Sequence, residues 1–375
     1  MSPAPEDRPA PEDRLGTEDR PAPEDRLGAE DRPAPEDRPA PEDRLGAEDR
    51  LAPDVRALVD AMTAFFPDLG GAVTDAAEAR RILAAAPASP LPPPVVGSVE
   101  DRDIPGPAGA PRIPVRIYRP DPDEAPGPRP TVVFLHGGGW AICGLDSHDS
   151  TARGLCREAG AVVVSVDYRL APESPFPAAV DDAYAALCWA ADHHTALGGD
   201  AGALVVAGDS AGGNLAAVIC LLARDRGGPR IALQALVYPA TDAHQSTESF
   251  ARNADRYFLT AAHCRWFAEQ YLGPDGDRSH PHVSPLLADL ASLPPAHIVT
   301  AGCDPLCDEG LAYAKALRAV GVEVTESHFP GMFHGFFGFP ELLDDARTAV
   351  ADVAKAIVST VSGRKNDGEP GGRAG

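Results

Sequence analysis

Lysine is nearly missing from this chain: three residues stand against thirty arginines among 375. We read that imbalance as GC-rich coding rather than function. Positive charge is scarce altogether, with 33 Lys and Arg against 56 Asp and Glu for a net charge of −23. Nucleic acid and anionic membranes attract basic faces, so neither is expected as a main partner. Long apolar runs are lacking too. A membrane-spanning helix needs roughly 18 apolar residues, whereas the longest run here is about Leu215–Ala223. The chain opens on Pro, Glu, Asp and Arg where a signal peptide would carry an apolar segment, so a cytoplasmic location is the expectation. Paired cysteine motifs are also missing. Cys143, Cys156, Cys188, Cys220, Cys264, Cys303 and Cys307 are odd in number and scattered through apolar segments, which suits reduced thiols. Cys303 and Cys307 miss the CxxC spacing and have no second Cys/His cluster, so no metal is expected.

Proline and glycine are abundant, at 40 and 36 residues. Much of the proline sits in a repeat. Residues 3–50 form eight hexads, five reading PAPEDR and three LG[T/A]EDR, and Leu51–Arg56 looks like a decayed ninth. Each intact hexad carries one Glu, one Asp and one Arg, so the tract supplies eight of the 23 net negative charges. A Pro pair or a Gly in every hexad blocks a continuous helix, and single leucines leave almost nothing to bury. Residues 1–50 are therefore expected as a disordered acidic tail; a docking arm or an over-extended gene start are the alternatives. Residues 363–375, rich in Gly and charge, are expected to fray.

Between these ends the 44% hydrophobic content supports a sizeable core. Continuous apolar runs of the buried parallel-strand type occur at Thr131–Leu135, Ala161–Val166, Ala203–Ala207, Ile231–Tyr238 and His297–Thr300. Arg112–Tyr118 alternates as an outer strand would, and Val322–His328 reads as a last strand. Helix patterns cover Val55–Phe66, Thr74–Ala86, Thr151–Ala159, Ala178–His194, Gly212–Arg224, Asp308–Val320 and Glu341–Val361, with a Pro-rich connector at Pro87–Pro94. Alternating strands and helices predict an α/β fold, a mostly parallel sheet covered on both faces, with its chemistry beyond the carboxyl ends of the strands.

Gly208-Asp209-Ser210-Ala211-Gly212-Gly213 falls between a strand and a helix, the context a G-x-S-x-G nucleophile elbow requires. Glycines at 208 and 212 allow the tight turn that exposes Ser210 in a strained conformation. His136-Gly137-Gly138-Gly139-Trp140 ends another strand. Its glycines let backbone N–H groups approach a substrate oxygen, so Gly138, Gly139 and Ala211 are the candidate oxyanion donors. His136 reads as a brace for that loop. A serine hydroxyl needs a base, and the base needs an acid to orient it; this serine chemistry needs no cofactor. His334, after the last strand, is the candidate base, with His328 as rival; Asp304 is the candidate acid, with Asp308 as rival and better read as a helix N-terminal charge.

With these residues the chain, over roughly 95–360, resembles the hormone-sensitive-lipase-like esterases (bacterial lipase family IV) of the α/β-hydrolase superfamily, GDSAGG subgroup. HGGGW, GDSAGGN, Asp167–Glu173 with Phe176–Ala178, Tyr238-Pro239, Ser284–Leu286 and the Asp304 and His334 segments carry the resemblance. It implies an α/β-hydrolase domain over 51–362 and the same triad and donors. It also implies a helical cap, from about 51–95 and an insert at 243–292. The insert's Tyr257, Phe258, Trp266, Phe267 and Tyr271 are expected mainly as packing, and His280 with His282 as a surface turn. Cys307, where the family often has Arg, and the hexad tail depart from the pattern. The implied function is a serine carboxylesterase acting on short-to-medium acyl esters through an acyl-enzyme; an amidase or a deacetylase of one metabolite would use the same triad. A small-molecule ester is the expected partner, and a homodimer is left open.

Overall fold

The computed structural model describes residues 50–87, 91–123 and 129–362. The expectations for the tail before Arg50, for part of the Pro-rich connector and for residues 363–375 lie outside them. In chain order the elements are α1 (Pro53–Phe65), α2 (Ala76–Ala84), β1 (Ser98–Ile104), β2 (Ile113–Arg119), β3 (Thr131–Leu135), α3 (Asp149–Ala159), β4 (Val162–Val166), α4 (Ala178–Asp192), α5 (His194–Leu197), β5 (Leu204–Asp209), α6 (Ala211–Asp225), β6 (Leu233–Val237), α7 (Glu248–Arg252), α8 (Ala261–Leu272), β7 (Ala296–Cys303), α9 (Cys307–Ala319), β8 (Val324–Phe333) and α10 (Asp344–Ser362). The strands join one sheet in the order β1-β2-β4-β3-β5-β6-β7-β8. From β4 to β8 every pairing is parallel, while β2 runs antiparallel to both β1 and β4. This is the α/β-hydrolase fold.

The period-2 geometry of a strand sends alternate residues to opposite faces. In β3, Val133 and Leu135 join a core with α4, α6 and α9, while Val132 and Phe134 join another with α3 and α10. Each fully buried Val, Leu or Phe side chain contributes about 1.5–3 kcal/mol, which is why a five-residue run with no polar face holds the centre of the sheet. Helix α10 buries Ala346, Ala349, Val350, Val353, Ala354 and Ile357, one stripe at helical spacing. Helix α6 is buried almost all round and lies directly beneath the elbow.

Helices α2, α7 and α8 pack against the loops that follow β3 and β7. Asp75 caps α2 by accepting the Glu78 N–H at 2.7 Å, and Thr260 caps α8 by accepting the His263 N–H at 3.1 Å. Leu69, Val73, Ala76 and Ala79 pack with Phe250, Trp266 and Phe267 in a third apolar cluster, which also takes Ile142 from the glycine loop. Helix α1 instead buries Val55 and Val59 in the core shared with α3 and α10. Arg50, the last residue of the repeat, donates to the Gly302 carbonyl at 2.7 Å and to Asn253 Oδ1 at 2.8 Å. Its guanidinium lies 5.9 Å from the Tyr257 ring centroid.

Candidate active site

Strand β5 ends at Asp209 and α6 begins at Ala211, leaving Ser210 alone on the turn with φ 56° and ψ −118°. The turn is held from below: Ser210 N–H donates to the Val237 carbonyl at 2.9 Å, and the Ala240 N–H donates to the Ser210 carbonyl at 3.2 Å. A Cβ at Gly208 would collide with the Gly212 backbone, and one at Gly212 with the Leu135 carbonyl. The strain at Ser210 is therefore imposed by strand and helix backbones that meet only if both neighbours are glycine.

Three elements bring the predicted triad residues together. Ser210 Oγ lies 2.9 Å from His334 Nε2, and His334 Nδ1 lies 2.7 Å from Asp304 Oδ2. Asp304 follows β7 and is 0% exposed; its Oδ1 accepts the Leu306 N–H at 2.8 Å, and its carbonyl accepts Asn253 Nδ2–H at 2.8 Å. His334 comes one residue after β8, 7% exposed, with the Tyr238 ring 4.5 Å away. The rivals lie elsewhere. His328 Nδ1 sits 2.9 Å from Thr300 Oγ1 within the β7–β8 ladder, and Asp308, in the first turn of α9, accepts the Ser249 N–H at 2.7 Å.

Ser210, His334, Gly138, Gly139 and Ala211 all line one cavity of about 230 Å³. Among the described residues, no group accepts the backbone N–H of Gly138, Gly139 or Ala211. Gly137 differs: its N–H donates to Asp209 Oδ1 at 3.0 Å. Burial pushes the Asp209 carboxyl up, but the histidines around it, His148 with Nε2 at 3.3 Å from Oδ1 foremost, then His136 and His334, together outweigh burial and hold it below the usual carboxylate range. His136 behaves as a brace. Burial and the neighbouring His148 push it down to about 3, so it stays neutral; its Nδ1 is 2.7 Å from the Gly137 carbonyl, and its ring stacks on Tyr168 at 4.2 Å. Tyr168 O–H in turn donates to the His136 carbonyl at 2.7 Å.

Sequence reasoning did not single out Asp209, His148 or Tyr168 for this role. Asp209 sits inside the elbow motif and Tyr168 inside a quoted stretch, but what they hold is more than 30 residues away in sequence.

The insert's aromatics divide. Phe258, Phe267 and Tyr271 line the cavity, and Tyr271 stacks on Trp140 at 4.3 Å. Trp266 donates Nε1–H to the Thr74 carbonyl at 3.0 Å, and Tyr257 packs under Arg50 and Arg56. Three of the five thus border the cavity while also packing against apolar neighbours, and within α8 Phe267 and Tyr271 do so while Trp266 reaches Thr74. His280 and His282 pack edge to face at 5.0 Å in a turn. All seven cysteines are free; burial pushes cavity-lining Cys143 up to about 12, leaving no thiolate to compete with Ser210. Cys307 is buried, and a cation reaches its loop from Arg50. Among the described residues no group of three His, Cys, Asp or Glu could hold a metal ion, and no helix is long and apolar enough to cross a membrane.

Residues 132–338 match the family model of the alpha/beta hydrolase fold. The chain is 46% identical over 271 residues to the carboxylic ester hydrolase LipN of Mycobacterium tuberculosis, covering 70% of this chain and 71% of that one. The chain belongs to the hormone-sensitive-lipase-like esterases of the α/β-hydrolase superfamily. The ethyl acetate hydrolase of Pseudomonas putida is 40% identical to this esterase over 249 residues, covering 65% and 78% of the two chains. The hyperthermophilic esterase from Pyrobaculum calidifontis superposes with a TM-score of 0.74 at 41% identity, covering 83% of the present esterase and 99% of that structure.

Proposed function

We propose that this carboxylesterase works through Ser210 as nucleophile, His334 as general base and acid, and Asp304 as the group that orients His334. Ser210 Oγ attacks the ester carbonyl carbon while its proton passes to His334 Nε2. The carbonyl oxygen becomes an oxyanion facing the N–H groups of Gly138, Gly139 and Ala211; each such donor is worth about 3–4 kcal/mol in the transition state. His334 then protonates the departing alcohol, leaving an acyl-serine. Water, deprotonated by His334, attacks the acyl carbon and frees the acid. Asp304 keeps Nδ1–H of His334 hydrogen-bonded throughout, so Nε2 faces Ser210.

The observation that carries this reading is the unbroken line Ser210 Oγ–His334–Asp304, at 2.9 and 2.7 Å, opening on the same cavity as three unoccupied N–H groups. The relatives named above are ester hydrolases, which favours ester over amide substrates. A cavity of about 230 Å³ and a relative named for ethyl acetate support short-to-medium esters. Helices α1 and α2 with the 243–292 segment act as a cap, closing the cavity with Phe66, Phe258 and Phe267 and excluding water. Gly208–Gly213 supports the GDSAGG subgroup, and seven free thiols support a cytoplasmic location. The decisive test is Ser210→Ala on a p-nitrophenyl acetate-to-butyrate series. Turnover should drop by on the order of 10⁶; retained turnover overturns the assignment.

A further inference from the structure

One end of the cavity is built differently from the rest. Most of the lining is apolar, including Leu272, Val283 and Leu306, but Asp242, Gln245 and Glu309 border it too. Glu309 stands in the first turn of α9 and is only 1% exposed. Its Oε1 accepts the Thr241 N–H at 2.7 Å and the Asp242 N–H at 3.3 Å, and its backbone carbonyl accepts Thr241 Oγ1–H at 2.9 Å. Its other oxygen, Oε2, has no partner among the described residues. A buried polar atom without a partner costs free energy comparable to a lost hydrogen bond, so one on a residue that borders a cavity calls for a partner.

The chemistry of that atom is set by its surroundings. Burial, with the charges of Asp242 and Asp304 adding to it, raises the Glu309 carboxyl well above the usual range despite the two backbone donors. Oε1 is committed to accepting those two N–H groups, so the proton resides on Oε2, which becomes an O–H donor. Asp242 contributes an acceptor nearby; its Oδ1 is already turned to His244, 3.0 Å from the backbone N and 2.7 Å from Nδ1. The loop that carries Asp242 begins at Ala240, whose N–H is bonded to the Ser210 carbonyl, so this polar end belongs to the cavity that holds the nucleophile. A donor beside a carboxylate acceptor matches a hydroxyl group, which accepts one hydrogen bond and donates another.

We propose that Glu309, with Asp242, forms a hydroxyl-binding subsite, and that preferred substrates are esters carrying a hydroxyl on the chain that fills this cavity. The proposal rests on the esterase reading above. It predicts discrimination between two esters that differ only by that hydroxyl, because a plain alkyl chain leaves Oε2 unpaired.

The test uses matched pairs with the full chain: ethyl esters of four- to six-carbon acids against their ω-hydroxy forms, and butyl acetate against 4-hydroxybutyl acetate. The first places the hydroxyl on the acyl part, the second on the alcohol part. In one of the two pairs the hydroxylated ester should show kcat/KM at least about tenfold higher. Glu309→Leu should bring that ratio to about one. Glu309→Gln should keep most of it, since the amide oxygen must face the Thr241 and Asp242 N–H groups and the NH₂ then donates into the cavity. Because a ratio is read, a general loss of activity cancels, and fluorophosphonate labelling of Ser210 reports that each variant is folded. Turnover of all esters with ratios near one in the unsubstituted enzyme overturns the subsite alone. So does a ratio that survives Glu309→Leu or is lost in Glu309→Gln. No turnover of any of these esters overturns the esterase reading, and the subsite with it.

Discussion

A nucleophile, a base and an acid are of little use if the oxyanion loop has to be built after the substrate arrives. Asp209 answers that need. Its carboxylate binds the N–H of Gly137 and so leaves the next two N–H groups facing the cavity. Removing it releases the loop at its first residue without touching Ser210, His334 or Asp304. Asp209→Ala should therefore lower kcat/KM for p-nitrophenyl butyrate by about a hundredfold, while fluorophosphonate still labels Ser210. A variant with full activity would mean that the loop holds itself. At this scale Ser210 and the glycine loop were legible because each lies in a short motif flanked by recognisable elements. Asp304 and His334 were legible from chain order. Asp209 and His148 were not, because the bond they serve closes across 61 to 72 residues and has no local pattern.

Elements repeat this division. The strands and the helices that cover them announced themselves through apolar runs and stripes, with ends off by at most three residues except in β8, which runs five residues past the expected His328. Strand β1 did not. Its sequence, SVEDRDI, is almost wholly exposed, and only Ile104 is buried. It exists because its backbone pairs with β2 from Ser98–Arg119 to Ile104–Ile113, and because charges meet across the pair, Arg116 with Asp101 at 2.6 Å and Arg119 with Glu100 at 3.0 Å. An edge strand with one uncovered face owes little to hydrophobic periodicity. Helix α2, expected over Thr74–Ala86 and found at Ala76–Ala84, is likewise tied down by charged side chains. It packs modestly, but Arg80 donates to the Ala141 carbonyl at 2.9 Å and pairs with Glu173. Glu173 is well exposed, so screening leaves that ion pair little weight. The bond to Ala141, beside the glycine loop, is the stronger tie at about 1 kcal/mol. Arg80→Ala should lower Tm by about 2 °C and speed thermolysin cleavage near exposed Leu91; an unchanged cleavage rate would mean α2 is held by apolar packing alone.

For the whole molecule, buried titratable groups couple stability to pH. His136 is held neutral with its pKa pushed down to about 3, against about 6.5 in an unfolded chain. Its contribution is therefore complete above about pH 6.5. Below that, the unfolded chain takes up a proton the folded state refuses, and stability is lost as pH falls towards 3. Burial lowers His263 and His297 too, with the same sign. Glu309 has the opposite sign, since its folded form keeps a proton that the unfolded form releases until the ordinary carboxylate range is reached. The net slope mixes these, so His136 is best read by difference. In urea unfolding between pH 7 and 5, His136→Asn should show a slope shallower by about 1 kcal/mol per pH unit. Equal slopes would remove His136 from the account.

The described part of the repeat is one residue, Arg50, and its identity does not depend on how many hexads precede it. Every intact hexad ends in Glu-Asp-Arg, so gaining or losing one presents the same arginine to Gly302 and Asn253. A change in length by sixes therefore keeps an arginine beside the acid-bearing loop. A shift by threes is felt at once. Deleting residues 45–50 brings Arg44 up to Leu51 and should leave Tm and kcat/KM as they were. Deleting residues 48–50 puts Ala47 there and should cost about 1 kcal/mol, a Tm lower by about 2–3 °C. Equal Tm values for the two deletions would show the arginine to be a passenger; unequal ones would make the register of the repeat, rather than its length, the property the fold can sense.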